Sequence, residues 1–514
     1  MDRMEADEDA PAELRKSLNG VQIFFIVISS VIGTGIFSGN GDALAASGPV
    51  GLLLDVLALG CIAVCVGETV SEFVQLWGVP NAVYEYVAAF VDEDVAWAVA
   101  ILYWYSFASA AAVQMLSAAK LMLYWQPENW LPPLIFFGLV PWALFILNMA
   151  GVQIYAWTET FLGALKAVLL FGVTCVLFDI SAKGDLGNKS LMLDGLQYDP
   201  SKYMNQAHAF FYGIPSVAYG FVGIETSVIA AFESRSSRSM AIPSRLVHWY
   251  TFVFYLLCTL GHALTVKWTD VHLTGALDDL VNPKSNSPTI IAIFNSPRLG
   301  STSLPGFVNG CLIMSVVSAA ATSLYISSRT LYGLVYSLQG SNWVSRRLKT
   351  LGTIWRSTHV PSKALLATVL LFYWLPWLYL IPHNKITVED VLDMLDTTSS
   401  ASCVITWAFL CLAFIRYQKW THKCRNALAD SKNGDLRRYI RGTQAYEKCP
   451  DRHVWNVGMS FQPGLAWVGF LGCILVAVSA SAPWWSTPAT PVEVVSAYGP
   501  VSWAFGLLGI WNDC

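Results

Sequence analysis

Charge is what this chain has least of. Asp, Glu, Lys and Arg make up 13% of its 514 residues, 35 acidic and 31 basic, for a formal net charge of −4. A soluble domain carries about 25% charged residues, so much of this surface is not built to face water. The near balance of sign, without a basic stripe interleaved with aromatics, excludes a nucleic-acid partner. The chain has no HExxH, GxSxG or P-loop sequence, and its eight histidines are dispersed with no Cys/His cluster at metal spacing. Neither an enzyme centre nor a metal or cofactor site is expected. The 11 cysteines are scattered, mostly inside apolar runs (Cys61, Cys65, Cys175, Cys258, Cys311), with no CxxC pair, which argues against a disulfide framework. Residues 1–19 are acidic and polar. They lack the basic start and small-residue cleavage site of a signal peptide and are read as a cytosolic tail.

Apolar length is abundant instead. Apolar residues reach 55%, and a membrane-spanning helix needs about 20 of them in a largely unbroken run. Twelve such runs lie near 20–46, 50–76, 95–124, 132–150, 155–180, 206–232, 246–267, 303–337, 363–382, 389–415, 464–482 and 492–511. The expectation is an all-α integral membrane protein of twelve transmembrane helices. It divides into the tail, a ten-helix core at 20–415, a polar loop at 416–463, and two further helices with a very short C-terminus at 464–514. Lys and Arg concentrate in the loops 233–245, 338–362 and 416–460. By the positive-inside rule these loops and both termini are cytosolic. The opposite loops hold Asp185, Asp194, Asp270, Asp278 and Asp279. One of them carries the sequon Asn188-Lys189-Ser190, a candidate glycosylation site on the outside. Trp130, Trp249, Trp268, Trp484 and Trp485 fall near predicted helix ends, where an aromatic belt belongs. The segment 285–297 is too short to span and is expected on the outer face as a re-entrant or interfacial helix.

Two spans are interrupted. In the first, Gly33 and Gly35 bracket Thr34; in the sixth, Gly213, Pro215, Gly220 and Gly223 crowd the centre. Glycine costs a helix interior about 1 kcal/mol relative to alanine, and proline about 3. Packing through small residues is one explanation. The other is a substrate site, because irregular backbone at membrane depth persists where it lines a cavity, and paired interrupted spans in two halves point to one. An offset of five spans makes helices 1–5 and 6–10 inverted copies. Amides freed at Gly33, Thr34 and Gly35 suit a carboxylate. Carbonyls freed near Tyr219, Gly220 and Phe221 suit an ammonium group. A zwitterion bearing both groups on one carbon, an α-amino acid, matches the pair.

Ionisable residues at membrane depth are functional candidates. Glu225 follows the second break; it either binds the ammonium, couples occupancy to movement, or accepts backbone N–H groups at the break. Lys166 is central in the fifth span, too deep to snorkel. It either exchanges a proton near neutral pH or holds a fixed bond to helix-break carbonyls. Glu68 either pairs or sits near the cytosolic end of its span. Arg329 either forms a gate pair with Glu233 or reaches the headgroups.

The segments Ile32-Gly33-Thr34-Gly35-Ile36-Phe37, Gly67-Glu68, YWYSF at 103–107, Phe221-Val222-Gly223-Ile224-Glu225 through AAFES, Ile242-Pro243, SLYISSRTLYGL at 323–334 and FQPG at 461–464 occur in this order. Together they resemble the fungal amino acid permease family of the amino acid–polyamine–organocation superfamily, over residues 18–482. The resemblance implies a leucine-transporter-like fold of five-plus-five inverted repeats plus two helices, and proton-driven amino acid uptake, with the plasma membrane as the expected location. It implies that Lys166 stands where sodium-coupled relatives bind sodium. It also implies substrate contacts at Gly33, Thr34, Gly35, Tyr219, Val222 and Glu225, with Ala111 and Gln114 facing them from the third span. Relatives often have Glu in place of Gln114, and SAGNS where this chain has Ser318-Ala319-Ala320-Ala321-Thr322. The uncharged Gln114 leads us to expect neutral amino acids to be preferred over lysine and arginine. The alternatives are a non-transporting sensor on the same fold, for which no long cytosolic extension is seen, or an exchanger or carrier of a related amine such as GABA or a polyamine.

Overall fold

The computed structural model describes residue 14 and residues 16–184, 195–236, 239–240, 242–274, 282–338, 342–377, 388–426, 461–485, 494, 497–499, 502 and 506. The sequon Asn188, most of the loop 416–463 and most of the expected twelfth span lie outside the described residues. Within them the regular structure is helical, with two isolated β-bridges, Leu18 to Ser234 and Trp355 to Val360.

The helices are α1 (Gly20–Val31), α2 (Asn40–Leu76), α3 (Ala82–Phe90), α4 (Glu93–Met122), α5 (Leu131–Met149), α6 (Val152–Ala182), α7 (Gln206–Phe221), α8 (Pro243–Thr265), α9 (Pro288–Asn295), α10 (Leu304–Tyr336), α11 (Ser362–Phe372), α12 (Val388–Lys423) and α13 (Gly464–Ser479). Seven helical stretches among the described residues are long and apolar enough to cross a membrane, and α11 and α13 are shorter apolar helices. The first stretch, Gly20–Leu76, has 57 residues. Laid straight it would reach about 85 Å, against a hydrocarbon core of about 30 Å. The helix is broken by a kink at Gly48, whose φ of 71° suits glycine, followed by Pro49. A Cβ on Gly48 would also sit 2.8 Å from the Gln197 carbonyl oxygen.

The side chains of α6 show which solvent it meets. Ile154, Trp157, Phe161, Leu165, Val168 and Phe171 are exposed along one face. Tyr155, Glu159, Gly163 and Lys166 are buried along the other. An apolar exterior over a polar interior is stable against lipid, whereas large exposed apolar patches are rare on soluble monomers. The protein is a multi-pass integral membrane protein. At the centre, α4 packs along α10 and α12, α2 carries α7 and α8, and α6 lies against α1 and α8.

Two elements add to the sequence reading. Helix α9, expected as a re-entrant or interfacial helix, is enclosed by protein: Ile290 through Ile293 are buried against α6, α8 and α10. The end of the polar N-terminal segment packs against the molecule. The amides of Ser17 and Leu18 both donate to the Glu233 carbonyl at 2.9 Å. Leu14 is buried with Tyr332 and Ile354. Helix α1 then starts at a reciprocal cap between Asn19 and Gln22, an arrangement that contributes about 1 kcal/mol.

Candidate functional site

Helix α1 ends at Ile32, which has an extended ψ of 93°, and a wide turn, Gly35–Gly39, leads into α2. The carbonyls left over at the end of α1 are taken by side chains from three other helices. Lys166 Nζ donates to the Ser29 oxygen at 2.8 Å, Tyr255 OH to Val31 at 2.9 Å and Ser315 Oγ to Ile32 at 3.2 Å. The other break follows α7. Pro215 and Gly213 remain inside that helix, and the chain leaves it at Val222, with Gly223 at φ 112°. A Cβ on Gly223 would lie 2.5 Å from Ser30 Oγ, and one on Gly35 would lie 2.2 Å from Gly220 Cα. The two breaks therefore touch backbone to backbone.

A small cavity lies where they meet. The first break contributes Ser30, Val31, Gly33, Thr34 and Gly35; the second contributes Tyr219 and Val222. Phe107, Ala110 and Gln114 of α4 and Ser323 of α10 complete the wall. The unpaired amides at the start of a helix carry partial positive charge, and the last carbonyls carry partial negative charge. The start of the second half of span 1 and the end of α7 thus bring opposite poles to one cavity. Two buried polar atoms around it, Ser30 Oγ and Gln114 Oε1, have no hydrogen-bond partner in the protein, and the Thr34 hydroxyl lies beside Tyr219 OH. Gln114 Nε2 donates to Tyr219 OH at 3.2 Å.

The remaining candidates distribute around this cavity. Gly220 backs Gly35 from behind, and the Phe221 ring packs on Tyr255. Ala111 lines a second, apolar cavity, with Met115, Phe372 and Tyr373. The Glu225 carboxylate accepts from the Gly223 amide at 3.2 Å and from Trp407 Nε1 at 2.8 Å. Of the three roles read from the sequence, these bonds match the acceptance of backbone N–H at the break. Glu68 accepts from Trp249 Nε1 at 2.9 Å and lies 3.2 Å from His248 Nε2. Glu233 and Arg329 form a buried ion pair at 3.3 Å. Tyr325 OH donates to the same carboxylate at 2.6 Å, and its ring lies under the guanidinium.

Sequence reasoning passed over several residues that the structure brings here. Ser30, Phe107, Ala110 and Ser323 line the cavity. Glu159 is fully buried and bonded to Ser29 and Ser318. Its signal was the spacing: seven residues before Lys166 is two helical turns, the same face of α6.

A sequence profile of the amino acid permease family matches residues 22–432. The chain is 26% identical over 417 residues to the general amino-acid permease GAP2 of Candida albicans, covering 80% of this chain and 66% of that one. It is 27% identical over 345 residues to the dicarboxylic amino acid permease of Saccharomyces cerevisiae, covering 64% and 55%. The chain thus spans just under two thirds of the first relative and about half of the second. Among solved structures, a manganese transporter from Eremococcus coleocola superposes with a TM-score of 0.53 at 14% identity, over 98% of both chains. At that identity the likeness concerns the fold. Profile, relatives and the helical membrane architecture agree: this chain belongs to the amino acid permease family.

Proposed function

We propose that this protein carries α-amino acids into the cytosol by proton-coupled symport, holding the substrate at the two broken helices. The observation that carries the reading is the cavity where opposite helix poles meet among unpartnered polar atoms. The substrate carboxylate would sit on the amides of Gly33, Thr34 and Gly35. Its ammonium would sit on the carbonyls at the end of α7, around Tyr219. Ser30 and Gln114 offer the remaining hydrogen bonds. The fold behind this reading is twelve spans, the first ten arranged as five-plus-five inverted repeats, with both termini cytosolic and the plasma membrane as the site of action. The kink at Gly48 divides the first helical stretch in two, which supports that count.

Lys166 supports coupling to protons over coupling to sodium. Its ammonium position lies against the Ser29 carbonyl, where a bound cation would otherwise satisfy the end of α1. Glu233 and Arg329, tied to the N-terminal segment, close the cytosolic side. A competition uptake assay across amino acids, GABA and polyamines tests the assignment. Neutral amino acids should displace label best, and lysine, arginine and the amines should displace it at least about tenfold less well, a difference of roughly 1.4 kcal/mol. Label displaced only by polyamines would overturn the substrate class.

A further inference from the structure

Glu159 and Lys166 are both fully buried on one face of α6. Three oxygens meet beside them. Ser318 Oγ is 2.7 Å from Glu159 Oε2, Ser29 Oγ is 2.8 Å from Ser318 Oγ, and Ser29 Oγ is also hydrogen-bonded to Glu159 Oε2. A closed triangle of hydrogen bonds needs three hydrogens. Each serine hydroxyl supplies one, and an ionised carboxylate supplies none. The third edge is filled when the carboxyl carries a proton. Beside the triangle, Lys166 Nζ donates to the Ser29 carbonyl at 2.8 Å.

A route leads away from this acid. Its other oxygen, Glu159 Oε1, and the Tyr155 hydroxyl are buried, and the Thr322 hydroxyl is the hydrogen-bonding group beside them. Glu159 and Tyr155 lie one turn apart on the same face of α6. The Tyr155 ring stacks on Tyr325 at 4.7 Å, and Tyr325 OH reaches Glu233 Oε2 at 2.6 Å. The charged groups facing the route are Lys166 on α6, Arg329 on α10 and Glu233 after the second break. From α1 the contact is Ser29, which does not titrate.

We propose that Glu159 is the proton-carrying group of the transport cycle, sharing the proton with Lys166, and that Tyr155 and Tyr325 relay it to Glu233 at the cytosolic gate. The proposal rests on the proton-symport reading above. On loading, one proton adds to the pair, forming an N–H bond on Lys166 or an O–H bond on Glu159, and the pair passes from net −1 to neutral. On release the Glu159 O–H breaks. Each tyrosine oxygen, once a side-chain rotation brings it within hydrogen-bond distance of its neighbour, takes one proton as it gives one up, and Glu233 passes the proton to cytosolic water. Ser29 and Ser318 remain as donors to the carboxylate left behind.

The test uses the full chain in proteoliposomes, with a radiolabelled mixture of the proteinogenic amino acids as probe and an internal pH dye. Glu159→Gln should keep exchange of internal for external label within about threefold of wild type. It should lose at least nine tenths of the accumulation driven by an inward proton gradient, together with the dye signal. Glu159→Asp should recover part of both. Tyr155→Phe, which removes only a hydroxyl, should slow the dye signal at least fivefold with exchange intact. Gradient-driven accumulation at the wild-type level in Glu159→Gln overturns the assignment. If Glu159→Gln fails to insert, an unslowed dye signal in Tyr155→Phe overturns it. A wild type whose accumulation ignores the proton gradient overturns the symport reading first, and this assignment with it.

Discussion

A glutamine at position 114 brings a donor and an acceptor to the cavity but no charge. Its Nε2 is engaged by Tyr219 OH, and its Oε1 is left open. Gln114→Glu would place a negative charge there, worth about 4 kcal/mol to a cation 4 Å away at an effective dielectric of 20. Uptake of lysine and arginine relative to leucine should rise at least tenfold in the variant, measured as a ratio of kcat/KM. A wild type already selective for arginine contradicts the reading. Glu225 is held differently. Its Oε2 holds the Gly223 amide and Trp407 Nε1, and the side chain is absent from the cavity wall. Glu225→Gln weakens charge-assisted bonds of roughly 1.5–3 kcal/mol each. It should lower kcat severalfold and leave KM within about twofold; a large rise in KM with unchanged kcat would put Glu225 on the substrate. Legibility at this scale was uneven. Gln114 was found because a long polar side chain stands out among small ones. Ala110 was not, because the run Ser109–Ala112 is uniformly small and gives no clue to its helical phase, so the neighbouring Ala111 was chosen and faces the second cavity. Glu159 was missed because Lys166 was read alone, without looking two turns back.

Helix interruptions were readable because Gly and Pro are costly in a helix, but the location of the second one was less so. Gly213 and Pro215 both sit within α7, and the break falls at Val222 and Gly223. Sequence gives the propensity to break; contact with the first break decides which glycine uses it. Gly223 does, because its backbone lies on Ser30. The two cavity glycines differ in the same way. A Cβ on Gly35 meets the backbone of Gly220, which cannot yield, whereas one on Gly33 meets the end of the Gln114 side chain at 2.8 Å. Gly35→Val therefore separates the breaks and removes binding, with a loss of folding yield. Gly33→Ala pushes Gln114 aside and should raise KM about tenfold in normally inserted protein. Scintillation-proximity binding on purified protein checks this; wild-type affinity in Gly33→Ala would place the substrate elsewhere. Whether helix α9 is re-entrant or interfacial was not readable, for a simple reason. An apolar segment too short to span has the same composition whether it lies on lipid or is packed inside protein.

At the scale of the molecule, the scarcity of charge, the length of the apolar runs and the few buried ionisable groups were enough to read an all-helical membrane protein. The inside-out pattern of α6 shows why, since its exposed stripe is apolar and its buried stripe holds Glu159 and Lys166. The meeting of the N-terminal segment with Glu233 was not readable, because it joins residues more than two hundred positions apart through backbone groups that carry no sequence signal. The central claim is that an amino acid bound between the two breaks moves with a proton. It is tested most directly by accumulation of labelled neutral amino acids in proteoliposomes under an imposed inward proton gradient, with and without sodium. The account predicts accumulation above the external concentration that collapses when the gradient is dissipated, is unchanged by removing sodium, and is absent in Lys166→Ala. Accumulation that requires sodium, or that persists in Lys166→Ala at the wild-type level, would contradict it.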